Sequence, residues 1–218
     1  MARDLTQSVI FKLLNWAYDA ALTGYPSVSS AQALAEEYLK EPDSQREQAN
    51  SLIRWQIAKT AGSGFLTGLG GVLTIPVTLP AELGAVYFIQ LRMITAIAVM
   101  GGYDVKSQQV RTLSYVCLLG SAATDVLGQI VSEIGAELGE KITQDALEKL
   151  SREVITSVDE KVSTQLLAKA TSKSVFRFGR IIPILGGLFS AGLNGLATNE
   201  IGDSARDLFL PKTRTRAI

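Results

Sequence analysis

The sequence predicts an all-α protein: a single helical domain whose glycine-rich apolar helices pack closely, with membrane association left open. Three observations carry this. Apolar residues recur at helical spacing in one segment after another, and no segment alternates as a half-buried strand would. Two long stretches, Thr60–Ala81 and Ile181–Asn199, carry no charge. The whole chain is nonetheless 47% hydrophobic and 19% charged over 218 residues, close to ordinary globular usage, so its apolar residues are clustered rather than plentiful. No stretch is rich enough in Pro, Ser or charge to divide the chain into two folded units.

The first element is an amphipathic helix. Val9, Ile10, Leu13, Leu14, Ala17, Ala20 and Ala21 make one stripe, and Gly24 with Pro26 ends it. Its polar face is not lined by Lys and Arg, as an interfacial helix prefers, so it is expected to pack on the core. The same segment lacks the basic region, long apolar run and small-residue cleavage site of a secretory leader. Two capping boxes follow, Ser29-Ser30-Ala31-Gln32 and Ser44-Gln45-Arg46-Glu47. In each a serine caps an amide and the third residue on reaches back. They bracket a short helix and launch a longer one through Leu52, Ile53 and Ile57.

That helix runs into Thr60–Ala81, which holds five glycines and two prolines in 22 residues. Twenty-two residues of helix would reach roughly 33 Å, enough for a bilayer core. The eight strongly apolar residues in the run are worth only about −4 kcal/mol on insertion scales, and Pro76 and Pro80 would each interrupt a helix. A simple lipid-exposed span is therefore not expected. Glu82–Met100 reads as the next helix, with Pro80 before its start and Gly101-Gly102 as its stop. It is apolar almost all round, which marks a helix buried in protein or membrane. Glu82 and Arg92 stand out on it. They lie about 15 Å apart along the axis and cannot pair, and an unpaired Arg near a bilayer centre would cost about 2.5 to 3.5 kcal/mol. Arg92 is expected to face protein or a polar seam.

Asp104 or Ser107 can cap a helix through Val110, Leu113, Tyr115 and Val116 to Gly120. Cys117, the one cysteine, lies in the apolar run SYVCLLG and reads as a buried core thiol in a cytoplasmic chain. From Gly139 to Lys173, Ile142, Leu147, Leu150, Ile155, Val158, Val162 and Leu166 recur among many charges, as a solvated amphipathic segment broken at least once. The last apolar block, RIIPILGGLFSAGLNGLATNEIGDSARDLF, has Pro183 near a helix start. Gly187, Ala191 and Gly195 place small residues at every fourth position of one face. Gly64 and Gly68 repeat that spacing in the first block. The expectation is that the Phe65–Leu79 stretch and the Ile181–Leu196 helix pack through these small faces. Asn194 is the one amide of the Ile181–Leu196 helix and would meet either a neighbouring helix or a ligand.

The two apolar blocks also carry a resemblance. The glycine-rich lead into LP, the QLR-to-IA helix, the GYD turn, the CLLG helix and the closing N-x-x-x-T-x-x-I-G-x-x-A segment resemble the EcsC protein family, from about Ala61 onward. The resulting organisation is N-terminal amphipathic helices over 1–60, an EcsC-like helical domain over 61–210, and a basic tail over 211–218 expected to be flexible. The family takes its name from a gene in a bacterial operon encoding an ABC transporter. The resemblance thus implies a bacterial, transport- or envelope-related setting and no reaction.

Catalysis is addressed by exclusion. The chain has no histidine, which removes the Ser-His-Asp and Cys-His systems, H-E-x-x-H zinc sites and E-x-x-H di-iron bundles. The glycine cluster lacks the Lys-Ser or Lys-Thr of a Walker loop. Read as a dinucleotide motif from Gly62 or Gly68, its third glycine falls on Thr67 or Leu73. The acids near the apolar blocks, Glu82, Asp104, Asp125, Glu200 and Asp203, form no evident hydrolytic pair. No catalytic or metal-binding residue and no cofactor is assigned. A formal net charge of zero and the lack of aromatics interleaved with Lys and Arg argue against nucleic acid.

The expected role is that of a non-catalytic accessory protein at the cytoplasmic face of the inner membrane. Its partner would be lipid or a membrane protein, and homo-oligomerisation stays open. Two other readings are a soluble module enclosing a lipid, with Arg92 or Asn194 at the lipid's polar end, and a glycine-zipper pore.

Overall fold

The computed structural model describes residues 5–25, 28–61, 81–136, 142–171 and 186–211, with the side chains of 59–61, 81–82 and 186–197 left aside. The described residues contain helices and no strand; the nearest thing to one is an isolated bridge between Tyr25 and Val28. In chain order the helices are α1 (Gln7–Thr23), α2 (Ala31–Tyr38), α3 (Gln45–Ala61), α4 (Ala81–Met100), α5 (Gln108–Cys117), a 3-10 turn (Gly120–Ala122), α6 (Ala123–Ile134), α7 (Gln144–Glu148), α8 (Arg152–Thr171) and α9 (Gly186–Phe209).

Helix α4 is the hub of a single all-α domain. Helices α1, α2, α3, α5 and α9 all pack on it. Its stretch Leu83–Met100 is long and apolar enough to cross a membrane, yet 83% of it is buried inside the protein. Phe88, Leu91, Met93, Ile94 and Ile97 are fully enclosed, and each contributes about 1.5 to 3 kcal/mol over leaving it in water. The apolar circumference expected from the sequence is therefore met by protein. Helix α1 buries Ile10, Leu13, Leu14, Ala17, Ala20 and Ala21 against this hub, together with Tyr18. That is the predicted stripe, with Val9 half-buried at its edge. Cys117 is fully buried, and burial pushes its thiol pKa well above the ordinary value. It is a core side chain, as expected.

Local capping holds in kind and differs in detail. Ser44 accepts from the Glu47 amide at the start of α3, as the box predicts. At α2 the cap is Ser30, whose hydroxyl accepts from Ala33, rather than Ser29. Gln32 does not reach back but donates to Glu36 at 2.8 Å. Ser29 is released for a different task. At α5 the cap is Ser107, while Asp104 closes the preceding turn by accepting from the Lys106 amide. This helix ends at Cys117, three residues before the predicted stop, because Leu118 and Leu119 turn into a 3-10 segment opening at Gly120. Gly120 sits at φ +63, which any other residue would resist. The amphipathic 139–173 segment is broken between α7 and α8, and all seven of its predicted apolar positions are buried.

Helices α3, α4 and α9 meet at one pole. The first residues of α3 satisfy carbonyls left open at the ends of the other two. Gln45 donates to the Met100 carbonyl at 3.0 Å, and Arg46 donates to the Leu210 carbonyl and pairs with Asp207 at 2.6 Å. Gly101 lets the two C-terminal ends touch: a Cβ there would sit 2.5 Å from the Phe209 carbonyl oxygen. Tyr103 closes the pole by stacking edge-on against Phe209 at 5.0 Å and donating to the Ile142 carbonyl. Along the α3–α9 seam, Arg206 donates to Asn50 at 2.8 Å and Gly202 faces Ile53. The pairings 46 with 210, 50 with 206 and 53 with 202 make α3 antiparallel to α9. The joined C-terminal ends make α4 parallel to α9. The free ends of these helices, Ala61, Ala81 and Gly186, consequently point to the opposite pole. The uncharged 62–80 segment joins Ala61 to Ala81, and residues 186–199 of the second uncharged run form the first half of α9.

Candidate functional site

A cleft of about 770 Å³ opens between the N-terminal turns of α1 and α5 and the first half of α8. Its floor is one stripe of α8: Ile155, Asp159 and Ser163, of which Asp159 is only 5% exposed. Residues four apart on a helix share a face, so this acid occupies an apolar stripe. Phe11 of α1 and Leu150, just before α8, supply apolar walls; Gln7 and Gln108 stand at the exposed rim.

The Asp159 carboxyl is short of partners. Its Oδ1 is sealed from solvent beside the Thr112 hydroxyl, the two atoms lying too far apart for a close hydrogen bond but near enough for the hydroxyl to act on the carboxyl. Burial raises its pKa to about 6, with the Thr112 hydroxyl and the Arg111 charge opposing the rise. Arg111 does not reach it as an ion-pair partner because its guanidinium is committed to α1. It pairs with Asp19 at 2.6 Å, donates to Asn15 and lies 4.9 Å over the Tyr18 ring. Asn15 also accepts from Tyr115 at 3.0 Å, and Tyr18 and Tyr115 meet edge-on at 5.9 Å. The Ser163 hydroxyl is spent on the Asp159 backbone carbonyl at 2.7 Å. A polar seam thus joins α1, α5 and α8, with the Asp159 carboxyl buried at its α8 side.

Sequence reasoning passed over Asp159. The signal was present, since Asp159 falls between Ile155 and Val162 on the apolar face, where a charged residue calls for a reason. It was lost among the many charges of that segment.

Of the residues singled out in the sequence, Arg92 is the one whose surroundings are described in full. It is 8% exposed. Its Nε donates to the Ser29 carbonyl at 2.5 Å and a terminal nitrogen to the Ser29 hydroxyl at 2.6 Å. Desolvation lowers its pKa and the nearby Glu37 charge works the other way. It faces protein, as expected, and ties the turn before α2 to the hub. Glu82 lies in the first turn of α4 and Asn194 in α9, with their side chains outside the described residues. Gly187, Ala191 and Gly195 fall on the first half of α9, and their surroundings are not described. Gly64, Gly68, the Phe65–Leu79 stretch and the 212–218 tail also lie outside. Of the glycines inside helices whose surroundings are described, the most crowded is Gly202, where a Cβ would come within 2.7 Å of the Ile53 side chain.

No group of three or more His, Cys, Asp or Glu capable of holding a metal occurs among the described residues. Comparison with curated proteins and with solved structures finds no match. The model of the EcsC protein family matches residues 4–214, so the likeness extends through the N-terminal helices as well as the apolar blocks that first suggested it. The chain belongs to the EcsC protein family.

Proposed function

We propose that this chain is a non-catalytic accessory protein of the EcsC type that docks by one pole on the cytoplasmic face of a bacterial inner membrane, or on a protein embedded there, in envelope or transport-related processes. One observation carries the reading. The uncharged 62–80 segment and the uncharged first half of α9 start from the same pole, at Ala61, Ala81 and Gly186, while among the described residues charged clamps such as Arg46–Asp207 hold the other. A helical body with an uncharged connection and an uncharged half-helix at one end, and with the clamp ion pairs of its described residues at the other, suits an apolar partner. Burial of α4 supports docking rather than spanning, because this helix already has protein around it.

A lipid-enclosing module in which Arg92 greets the ligand is less well supported, since Ser29 already occupies that guanidinium. Fractionation of bacterial membranes tests the proposal. The protein should pellet with membranes and resist a high-salt wash. A chain in which 62–80 is replaced by a Gly/Ser linker should stay in the supernatant with its helical circular dichroism intact. Wild-type protein that is soluble from the start would overturn the reading.

A further inference from the structure

We propose that the outer face of the last turns of α3, at Arg54, Trp55 and Ala58, lies in the headgroup layer of an anionic lipid bilayer, with the Trp55 indole where headgroups give way to acyl chains. This placement rests on the docking proposed above and names its partner as lipid. Among the described residues two large apolar side chains are exposed, Leu39 and Trp55, and Trp55 is the more so at 52%. A lone exposed aromatic needs no explanation. The surroundings of Trp55 supply one.

Helix α3 turns Leu52, Ile53 and Gln56 inward and leaves Arg54, Trp55 and Ala58 outside. The Arg54 guanidinium donates to the Ser51 hydroxyl of the same helix at 3.0 Å and stays at the surface. Lys59 follows Trp55 about one turn later. The acid of this helix, Glu47, stands in its first turn, at the clamped pole. From Gln48 to Ala81 the chain has bases at Arg54 and Lys59 and no acid. On the neighbouring α9, Glu200 accepts from Ser121 and Asp203 pairs with Arg206 at 2.6 Å. Helix α3 therefore grows positive toward the docking pole, and the uncharged 62–80 segment follows directly.

That order of residues matches the layers of a bilayer. About 9 Å of helix separates Trp55 from Ala61, and the headgroup region on each side of the hydrocarbon is about 5 to 7 Å deep. With α3 inclined to the surface, the indole falls within this region while 62–80 meets the acyl chains. An indole suits that level because it joins an apolar body to an N–H donor. Lipid phosphates are matching acceptors for the Arg54 guanidinium. Each base near an anionic surface strengthens binding about fivefold. The apolar segment holds the rest, so salt weakens the contact without releasing it.

Fluorescence of the full-length protein on vesicles of phosphatidylglycerol and phosphatidylethanolamine tests this. Trp16→Phe leaves Trp55 as the sole tryptophan, and circular dichroism checks its fold. Trp55→Phe in the otherwise native chain gives the same reading by difference. On binding, Trp55 emission should shift to the blue, and lipids brominated near the top of the acyl chain should quench it more than lipids brominated near the methyl end. Arg54→Gln combined with Lys59→Gln should weaken flotation on these vesicles about thirtyfold, and on phosphatidylcholine vesicles far less. Flotation with no shift or quenching of Trp55 would overturn this placement and leave the docking pole standing, as would a charge-insensitive affinity. Pelleting with native bacterial membranes but not with protein-free vesicles would assign the pole to a membrane protein instead of lipid. A chain that joins neither would remove the docking reading itself.

Discussion

Asp159 and Arg92 are both charged side chains on buried helix faces, and the structure treats them in opposite ways. Arg92 has its charge matched by a carbonyl and a hydroxyl of one residue, Ser29. Replacing it with Leu strands that carbonyl, and a cost of about 2 to 3 kcal/mol is expected in urea unfolding. Asp159 is the reverse case, for its folded-state pKa of about 6 stands above the ordinary value of 3.8. The folded protein then binds the proton more tightly than the unfolded chain. The stabilising contribution is complete below about pH 3.8 and is lost as pH rises through about 6. Asp159→Asn should therefore stabilise the protein at pH 7 to 8, by about 1 to 2 kcal/mol, with the gain shrinking toward pH 4. Thermal unfolding of both proteins across that pH range checks the sign. A constant offset at all pH values would remove Asp159 as the source.

At the scale of helices, the α3–α9 seam is set by one absent side chain. A Cβ at Gly202 would crowd three carbons of Ile53. Gly202→Ala should cost about 1 to 3 kcal/mol through overpacking, and Ile53→Ala in the same chain should recover part of it, a coupling that a double-mutant cycle measures. The helix-end clamp gives a second comparison. Asp207 is largely exposed, so its ion pair with Arg46 is worth less than about 1 kcal/mol. The bond from Arg46 to the Leu210 carbonyl caps a helix end and is part-buried. Arg46→Ala should thus lose about 2 kcal/mol in urea unfolding and Asp207→Ala distinctly less. Equal losses would mean the ion pair matters more than the cap. Most helix starts and stops were legible beforehand because caps, prolines and glycines act within a few residues. The errors came where two neighbouring serines offered the same cap: Ser30 took it because the fold needed Ser29 for Arg92.

For the whole molecule, the arrangement of poles brings together stretches more than a hundred residues apart in sequence. The uncharged character of 60–81 and 181–199 was plain from composition, as was the apolar nature of the helix between Glu82 and Met100. That the 62–80 segment and the uncharged first half of α9 start from one end of the bundle depends on α3 running against α4 and α9, a matter of chain direction. If this polarity serves docking, liposomes should recruit the wild-type protein and fail to recruit the chain lacking 62–80. Gly187→Leu would weaken binding or folding if the small-residue face of α9 is used. Flotation assays and thermal melts measured together separate the two effects, and unchanged values for Gly187→Leu would exclude that face.

The sequence by itself determined the helical class, the stripe of α1, the core nature of Cys117 and the family, because each rests on residues within a turn or two of one another or on motif spacing. Tertiary structure decided that the most membrane-like helix is a protein hub, that Arg92 belongs to Ser29, and that Asp159 is the buried one of three acids on α8. Burial and partnership arise between helices distant in the chain, and the energy of a charge depends on what packs against it.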